Sequence, residues 1–306
     1  MNKKPILQEF PAYLKLLTFA IIIFLSLIFI MMLGLIIAYP FWGTDILEKM
    51  TNIETFVNSD VIAFAKYFQI VSQFGIFIIP PILFAFLDGR NIGAYLKINF
   101  RPAIKTMILA SCLIFAAVPL INFLAEINRQ MKFPAFMSDI EQWMRTSEAK
   151  ATQLTDAFLN VSTAGGFFIN IFMIAVIPAI GEEFLFRGIL QPLFHKWFRN
   201  VHFAVIFSAF IFSFIHIQFY GFLPRLFMGI LLGYVFVLSG SLWIPILVHF
   251  VNNFTAVLIS FVTNNNIKNT FETIGTGKSA ILPVLLSISL TGIFIYLIYH
   301  NKRIRK

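Results

Sequence analysis

Apolar residues along this chain fall into long uninterrupted runs separated by short polar segments, and the runs rather than any alternation set the secondary structure. Eight are long enough to be read as helices crossing a hydrocarbon layer of roughly 30 Å: 14–39, 61–87, 104–124, 167–190, 203–219, 226–238, 242–262 and 280–299, the sixth being the shortest. Strands of an outer-membrane barrel alternate in segments of about ten residues, so continuous runs favour helices. The first run exceeds the apolar stretch of a signal peptide and carries no A-x-A-like cleavage site despite Lys3 and Lys4 ahead of it, so it is expected to remain as an anchor. The pattern therefore predicts an all-α, polytopic membrane helical bundle, with residues 1–306 forming one integral membrane domain.

Between the third and fourth runs, the segment from Ala125 to about Gly166 is polar enough to lie outside the bilayer. Ile140, Trp143 and Met144 fit either a short amphipathic surface helix or a plain connecting loop. The Pro80-Pro81 pair should kink the second helix, and Pro178 should disturb the fourth by removing the hydrogen bond to the Ile174 carbonyl. Gly181 either loosens that turn or lets a neighbouring helix approach closely.

Composition agrees with the pattern: 59% of the 306 residues are hydrophobic and only 12% charged, with 39 Phe and a mean hydropathy of +0.85. A net charge of +9 would fit a nucleic-acid binder, but the distribution of the charge points to membrane orientation instead. Lys3, Lys4, Arg90, Lys97, Arg101, Lys105, Lys196, Arg199, Lys302, Arg303, Arg305 and Lys306 all fall on one side of an eight-span chain. The opposite loops carry Asp45, Glu48, Glu54 and Asp60, then a near-balanced mixture from Glu126 to Asp156. The positive-inside rule then puts both termini in the cytoplasm. Cys112 is the sole cysteine, cannot form an internal disulfide, and reads as a small core residue.

Among the acidic residues only Glu182 and Glu183 interrupt an apolar run, and His216 and His249 are similarly embedded. A charge at bilayer depth costs about 2.5–3.5 kcal/mol on insertion scales, so such groups face a bundle interior and tend to mark function. Helical spacing pairs Glu183 with Arg187 four residues on, turns Glu182 elsewhere, and puts His249 and Asn253 on one face, with Phe212 one turn from His216. His195, His202 and His300 fall near the cytoplasmic boundary and read as interfacial. If the chain reverses around Trp197 to Asn200, Glu182 and His216 lie at one depth. The same count leaves His249 about six residues, roughly 9 Å, nearer the cytoplasm, and Asn253 about two residues off. Converging, such groups can activate water through a buried glutamate, hold zinc through two imidazoles and a carboxylate, or donate hydrogen bonds to an oxyanion. Each also has a structural reading, an interhelical hydrogen bond or a buried salt bridge.

At these residues the sequence resembles the CAAX protease and bacteriocin-processing enzyme family of intramembrane endopeptidases, also called the Abi family. The family pattern E-E-x-x-x-R, F-x-x-x-H and H-x-x-x-N stands here as Glu182-Glu183 with Arg187, Phe212 with His216, and His249 with Asn253, within core helices over residues 167–262. The resemblance implies that Glu182 activates water or holds a metal, with His216 as partner. His249 and Asn253 would polarise an oxyanion, and Glu183, Arg187 and Phe212 would shape the site. It implies zinc on Glu182, His216 and His249 in one version of the chemistry and no metal in another; the single-helix H-E-x-x-H arrangement is absent. The expected substrate is a membrane-associated peptide or lipidated protein, cut in the cytoplasmic half of the bilayer, and the expected location a bacterial cytoplasmic membrane. The competing readings are a non-catalytic scaffold or bacteriocin-immunity protein, and a proton-coupled transporter, whose cue of paired broken helices in repeated halves is missing.

Overall fold

The computed structural model describes residues 5–45, 47, 58–263, 273–277 and 279–303. Of the charged residues used for orientation, Lys3, Lys4, Glu48, Glu54, Arg305 and Lys306 lie outside them. The described chain is helical and without strands: α1 (Ala12–Trp42), α2 (Ser59–Gly89), α3 (Ile104–Gln130), α4 (Ser138–Leu159), α5 (Ala164–Phe198), α6 (Val201–Phe214), α7 (Phe222–Ser239), α8 (Trp243–Val262) and α9 (Ile281–Arg303). Seven of these are long and apolar enough to cross a membrane, making this an integral multi-pass membrane protein.

The fifth expected span is the exception. Its helix α6 has 14 residues, about 21 Å long at 1.5 Å per residue, and does not reach across on its own. The apolar run continues through Ile217 and Phe219, but Ile217 sits at φ +54°, a conformation that a β-branched residue rarely adopts, and the chain turns there. Asn128 at the end of α3 holds the tip, its amide nitrogen donating to the Phe219 carbonyl at 2.9 Å and its oxygen accepting from Leu223 N–H at 2.6 Å. The sixth span is correspondingly longer than expected, Phe222–Ser239.

Three π-helical turns interrupt the long spans: Phe74–Ile78 in α2, and Ile171–Val176 and Phe184–Leu190 in α5. Each ends two residues before a proline, Pro80, Pro178 or Pro192. A proline lacks the N–H that would bond back to residue i−4, and the wider turn before it accommodates the missing bond. Gly181, between the two π turns of α5, is a packing contact: a Cβ there would lie 2.7 Å from Phe77 Cβ, so α2 and α5 approach closely at that point.

At one end of the bundle the basic α2–α3 connection meets the α7–α8 turn. Leu242 N–H bonds Lys97 O at 3.3 Å, Ser241 Oγ donates to Phe100 O at 2.7 Å, and Trp243 Nε1 donates to Ile98 O at 2.7 Å. The α5–α6 turn, with Arg199 at φ +53° and Asn200 capping α6, follows from the same end of α7's antiparallel neighbour. Lys15 at the start of α1 pairs with Asp88 at the end of α2 at 2.5 Å, both buried, and Tyr95 donates to the other Asp88 oxygen at 2.8 Å. Burial, then Asp88 through that bond and its charge, push the Tyr95 phenol up, so it remains a donor.

The polar 125–166 connection is mostly helix α4, not a plain loop. It buries Met144 and Phe158, leaves Ile140 and Trp143 about half exposed, and rests Trp143 against Phe219 with ring centroids 5.5 Å apart. Cys112 departs from expectation. The buried stripe of α3 runs through Thr106, Ala110, Leu113, Ile114 and Ala117, and Cys112 falls off it, exposed on the outer surface of the bundle.

Candidate active site

Glu183 is fully buried and Glu182 keeps 13% exposure, so the adjacent carboxylates diverge as helical spacing requires. Arg187 Nη1 donates to Glu183 Oε1 at 2.8 Å, and its Nη2 donates to the Gly229 carbonyl of α7 at 2.9 Å. His249 Nδ1 lies 3.0 Å from the same Glu183 oxygen; with a carboxylate as acceptor this nitrogen carries the hydrogen. That bond aims His249 Nε2 at Glu182 Oε2, 3.8 Å away. His249 therefore reaches the site, against the depth count. The count treated every helix as regular and full length, whereas α5 carries two π turns and α6 stops early.

His216 lies just past the end of α6. Its Nδ1 is 2.7 Å from the Phe212 carbonyl, which can only accept, so Nδ1 is the protonated nitrogen and Nε2 offers a lone pair. Phe212 walls the site, with ring centroids 5.2 Å from His216, 6.2 Å from His249 and 5.1 Å from Phe186, and Arg187 lies 5.0 Å over its face. Asn253 donates to the Ile174 carbonyl at 3.0 Å. That carbonyl is the one Pro178 deprives of its helical partner, so the proline in α5 creates the anchor for an amide on α8. Asn252 Nδ2 donates to Asn253 Oδ1 at 3.0 Å, which leaves Asn253 one uncommitted N–H.

Glu182, Phe212, His216, His249 and Asn253 line one cavity of about 650 Å³, within the range of roughly 300–1,000 Å³ usual for ligand sites. Glu183 and Arg187 stand behind its wall. The cavity lies toward the end of the bundle covered by α4, whose Ala151, Leu154, Thr155 and Phe158 line it, and away from the basic connections. Hydropathy gives the depth of a polar residue along its own helix but not the end at which neighbouring helices splay.

Among the described residues no group of three or more His, Cys, Asp or Glu side chains is placed to hold a metal ion, and Glu182, His216 and His249 are no exception. His249 donates from Nδ1 to Glu183 and His216 from Nδ1 to a backbone carbonyl, so each ring keeps Nε2 for the cavity.

Several polar residues of this cavity are not evident from the sequence motifs: Gln69 and Gln73 on α2, Gln218 and Arg225 at the α6–α7 tip, and Asn252. Gln73 donates to the Met173 carbonyl at 3.3 Å. Gln69 and Gln73 stand four apart in an apolar run, a signal of a polar helix face that could have been followed.

No curated protein and no solved structure matches the chain. Residues 164–255 match the family model described as Type II CAAX prenyl endopeptidase Rce1-like, and that segment holds every member of the polar constellation together with the α5–α8 packing that gathers it. That segment, about a third of the chain, is similar to the CAAX protease family of intramembrane endopeptidases.

Proposed function

We propose that the protein hydrolyses a peptide bond of a membrane-associated or lipidated peptide, using water held between Glu182 and His216. The observation that carries this reading is the pair of acceptors in one sheltered cavity: the Glu182 carboxylate and the Nε2 lone pair of His216, left free by the Nδ1 bond to Phe212. Water has two hydrogens, and each can point at one of them. Glu182 takes a proton as the water oxygen attacks the scissile carbonyl, then returns it to the leaving amine as the carbon–nitrogen bond breaks. The uncommitted Asn253 N–H serves the developing oxyanion. His249, held by Glu183 and so by Arg187, presents Nε2 beside Glu182 at the cavity wall.

Zinc is the other version of this chemistry. It would use Glu182 with Nε2 of His216 and His249, whereas the mechanism above runs on side chains alone. With the basic connections in the cytoplasm by the positive-inside rule, the cavity faces the opposite side of a bacterial cytoplasmic membrane, and the substrate is presented there under α4.

The test is cleavage of reconstituted membrane-anchored peptides by purified protein, with metal analysis of the same sample before and after chelation. Full activity without stoichiometric metal supports the glutamate and histidine route. Activity lost on chelation and restored by zinc overturns it. Failure to cleave any peptide, with immunity or scaffolding intact in the Glu182→Gln protein, favours the non-catalytic reading.

A further inference from the structure

Arg225 lies in the first turn of α7 and lines the same cavity as Glu182 and His216. Its guanidinium is held by one neutral residue: Nη2 donates to Gln218 Oε1 at 2.6 Å and Nη1 to the Gln218 carbonyl at 3.2 Å. Gly221 makes room for it, since a Cβ there would lie 2.7 Å from Nη2. The buried cations of the bundle are differently provided for. Lys15 pairs with Asp88, Arg187 pairs with Glu183, and Lys66 donates to two oxygens, Phe158 O at 2.9 Å and Asn170 Oδ1 at 2.8 Å. Among the described residues no carboxylate comes within ion-pair distance of Arg225, and Glu148 and Glu182 act on it only from farther away.

A guanidinium carries five N–H donors in a rigid fork, and only part of that capacity is used here. Partly withdrawing a cation from water with no anion in contact is costly, so an anion that enters the cavity and touches Arg225 recovers part of that cost. The fork matches a carboxylate bidentately. A phosphate with its second negative charge suits the cavity less, because Glu182 lines it too.

We propose that Arg225 is the anchor for a carboxylate of the substrate peptide, holding it at a fixed distance from the bond exposed to Glu182 and His216. The inference rests on the peptidase reading and specifies its substrate. The carboxylate is either the chain's terminal group or an acidic side chain. An extended peptide advances about 3.3–3.6 Å per residue, so the anchor sets how many residues separate the charge from the scissile bond.

The test uses full-length Glu182→Gln protein in nanodiscs, which keeps the peptide intact, and three otherwise identical labelled apolar hexapeptides. One has a free C-terminal carboxylate, one a C-terminal amide, and one an amide with a single internal Glu. A charge-assisted pair contributes about 1.5–3 kcal/mol, so at least one acidic peptide should bind about tenfold or more tighter than the neutral amide. Whichever acidic peptide does so identifies the source of the carboxylate. Adding Arg225→Gln should bring the ratio close to one, while Arg225→Lys keeps part of it. Equal binding of all three peptides overturns the proposal, as does a preference that survives Arg225→Gln. The comparison without any change at Arg225 decides the matter even if Arg225→Gln does not fold. Preference for the acid without cleavage by the parent protein would sink the peptidase reading and leave the anion subsite standing; cleavage without preference would do the reverse.

Discussion

Replacing Arg187 by Met tests whether the pair behind the cavity wall is a true buried ion pair. The two side chains are 1% and 0% exposed, and Glu183 Oε1 receives both Arg187 Nη1 at 2.8 Å and His249 Nδ1 at 3.0 Å. Arg187→Met leaves the carboxylate buried without its counter-ion, a loss of about 3–5 kcal/mol for such pairs. It also strips the Gly229 carbonyl of its donor, which adds about 1–3 kcal/mol. Removing both charges with Glu183→Leu and Arg187→Met together eliminates the unpaired ion, so the double variant should be less destabilised than the two single effects combined. The assay is reversible unfolding in mixed micelles, followed by tryptophan fluorescence, for the parent, both single variants and the double variant. A cost for Arg187→Met under about 1 kcal/mol, or strict additivity of the two changes, would refute the argument.

Three further outcomes are expected. Gly229→Ala puts a Cβ 2.9 Å from Ala209 Cβ and 3.1 Å from its Cα; overpacking of this kind costs about 1–3 kcal/mol, and a melting curve unchanged from the parent's would show that α6 and α7 have slack here. Lys15→Met leaves Asp88 buried with Tyr95 as its remaining hydrogen-bond donor and should destabilise by about 3–5 kcal/mol, while the folded fraction cleaves normally; a specific activity that falls with stability unchanged would contradict this. In a Cys112→Ser background, Thr155→Cys should react with a membrane-impermeant maleimide on intact cells and Lys196→Cys only after permeabilisation, and the reverse pattern would invert the orientation proposed for the cavity.

The helices were legible in the sequence because membrane spans are continuous apolar runs, and such runs survive local irregularity. The end of α6 was not, since Ile217 and Phe219 are as apolar as any helical residue and the turn lies in the backbone at φ +54°. The same kind of misreading placed Cys112 in the core: an apolar run does not say which face of its helix is covered. In the site, Glu183 with Arg187 and Phe212 with His216 followed from spacing within one segment, and the structure brings each pair together. The approach of His249 to both glutamates depends on how α8 packs on α5, and counting residues along ideal helices could not supply it. Nothing in the sequence singles out Arg225; only the shape of the tip turns it inward. The link from Pro178 through the Ile174 carbonyl to Asn253 was half visible, because the sequence identified the freed acceptor but not the donor that fills it.

The central claim is that Glu182 takes the proton of the attacking water. Its most direct test is the cleavage rate of purified, chelator-treated Glu182→Gln against the parent protein on one reconstituted peptide, with both proteins matched in melting temperature. Loss of a positioned general base should slow cleavage by about 10²–10⁴-fold. Cleavage by Glu182→Gln at the parent's rate would contradict the account.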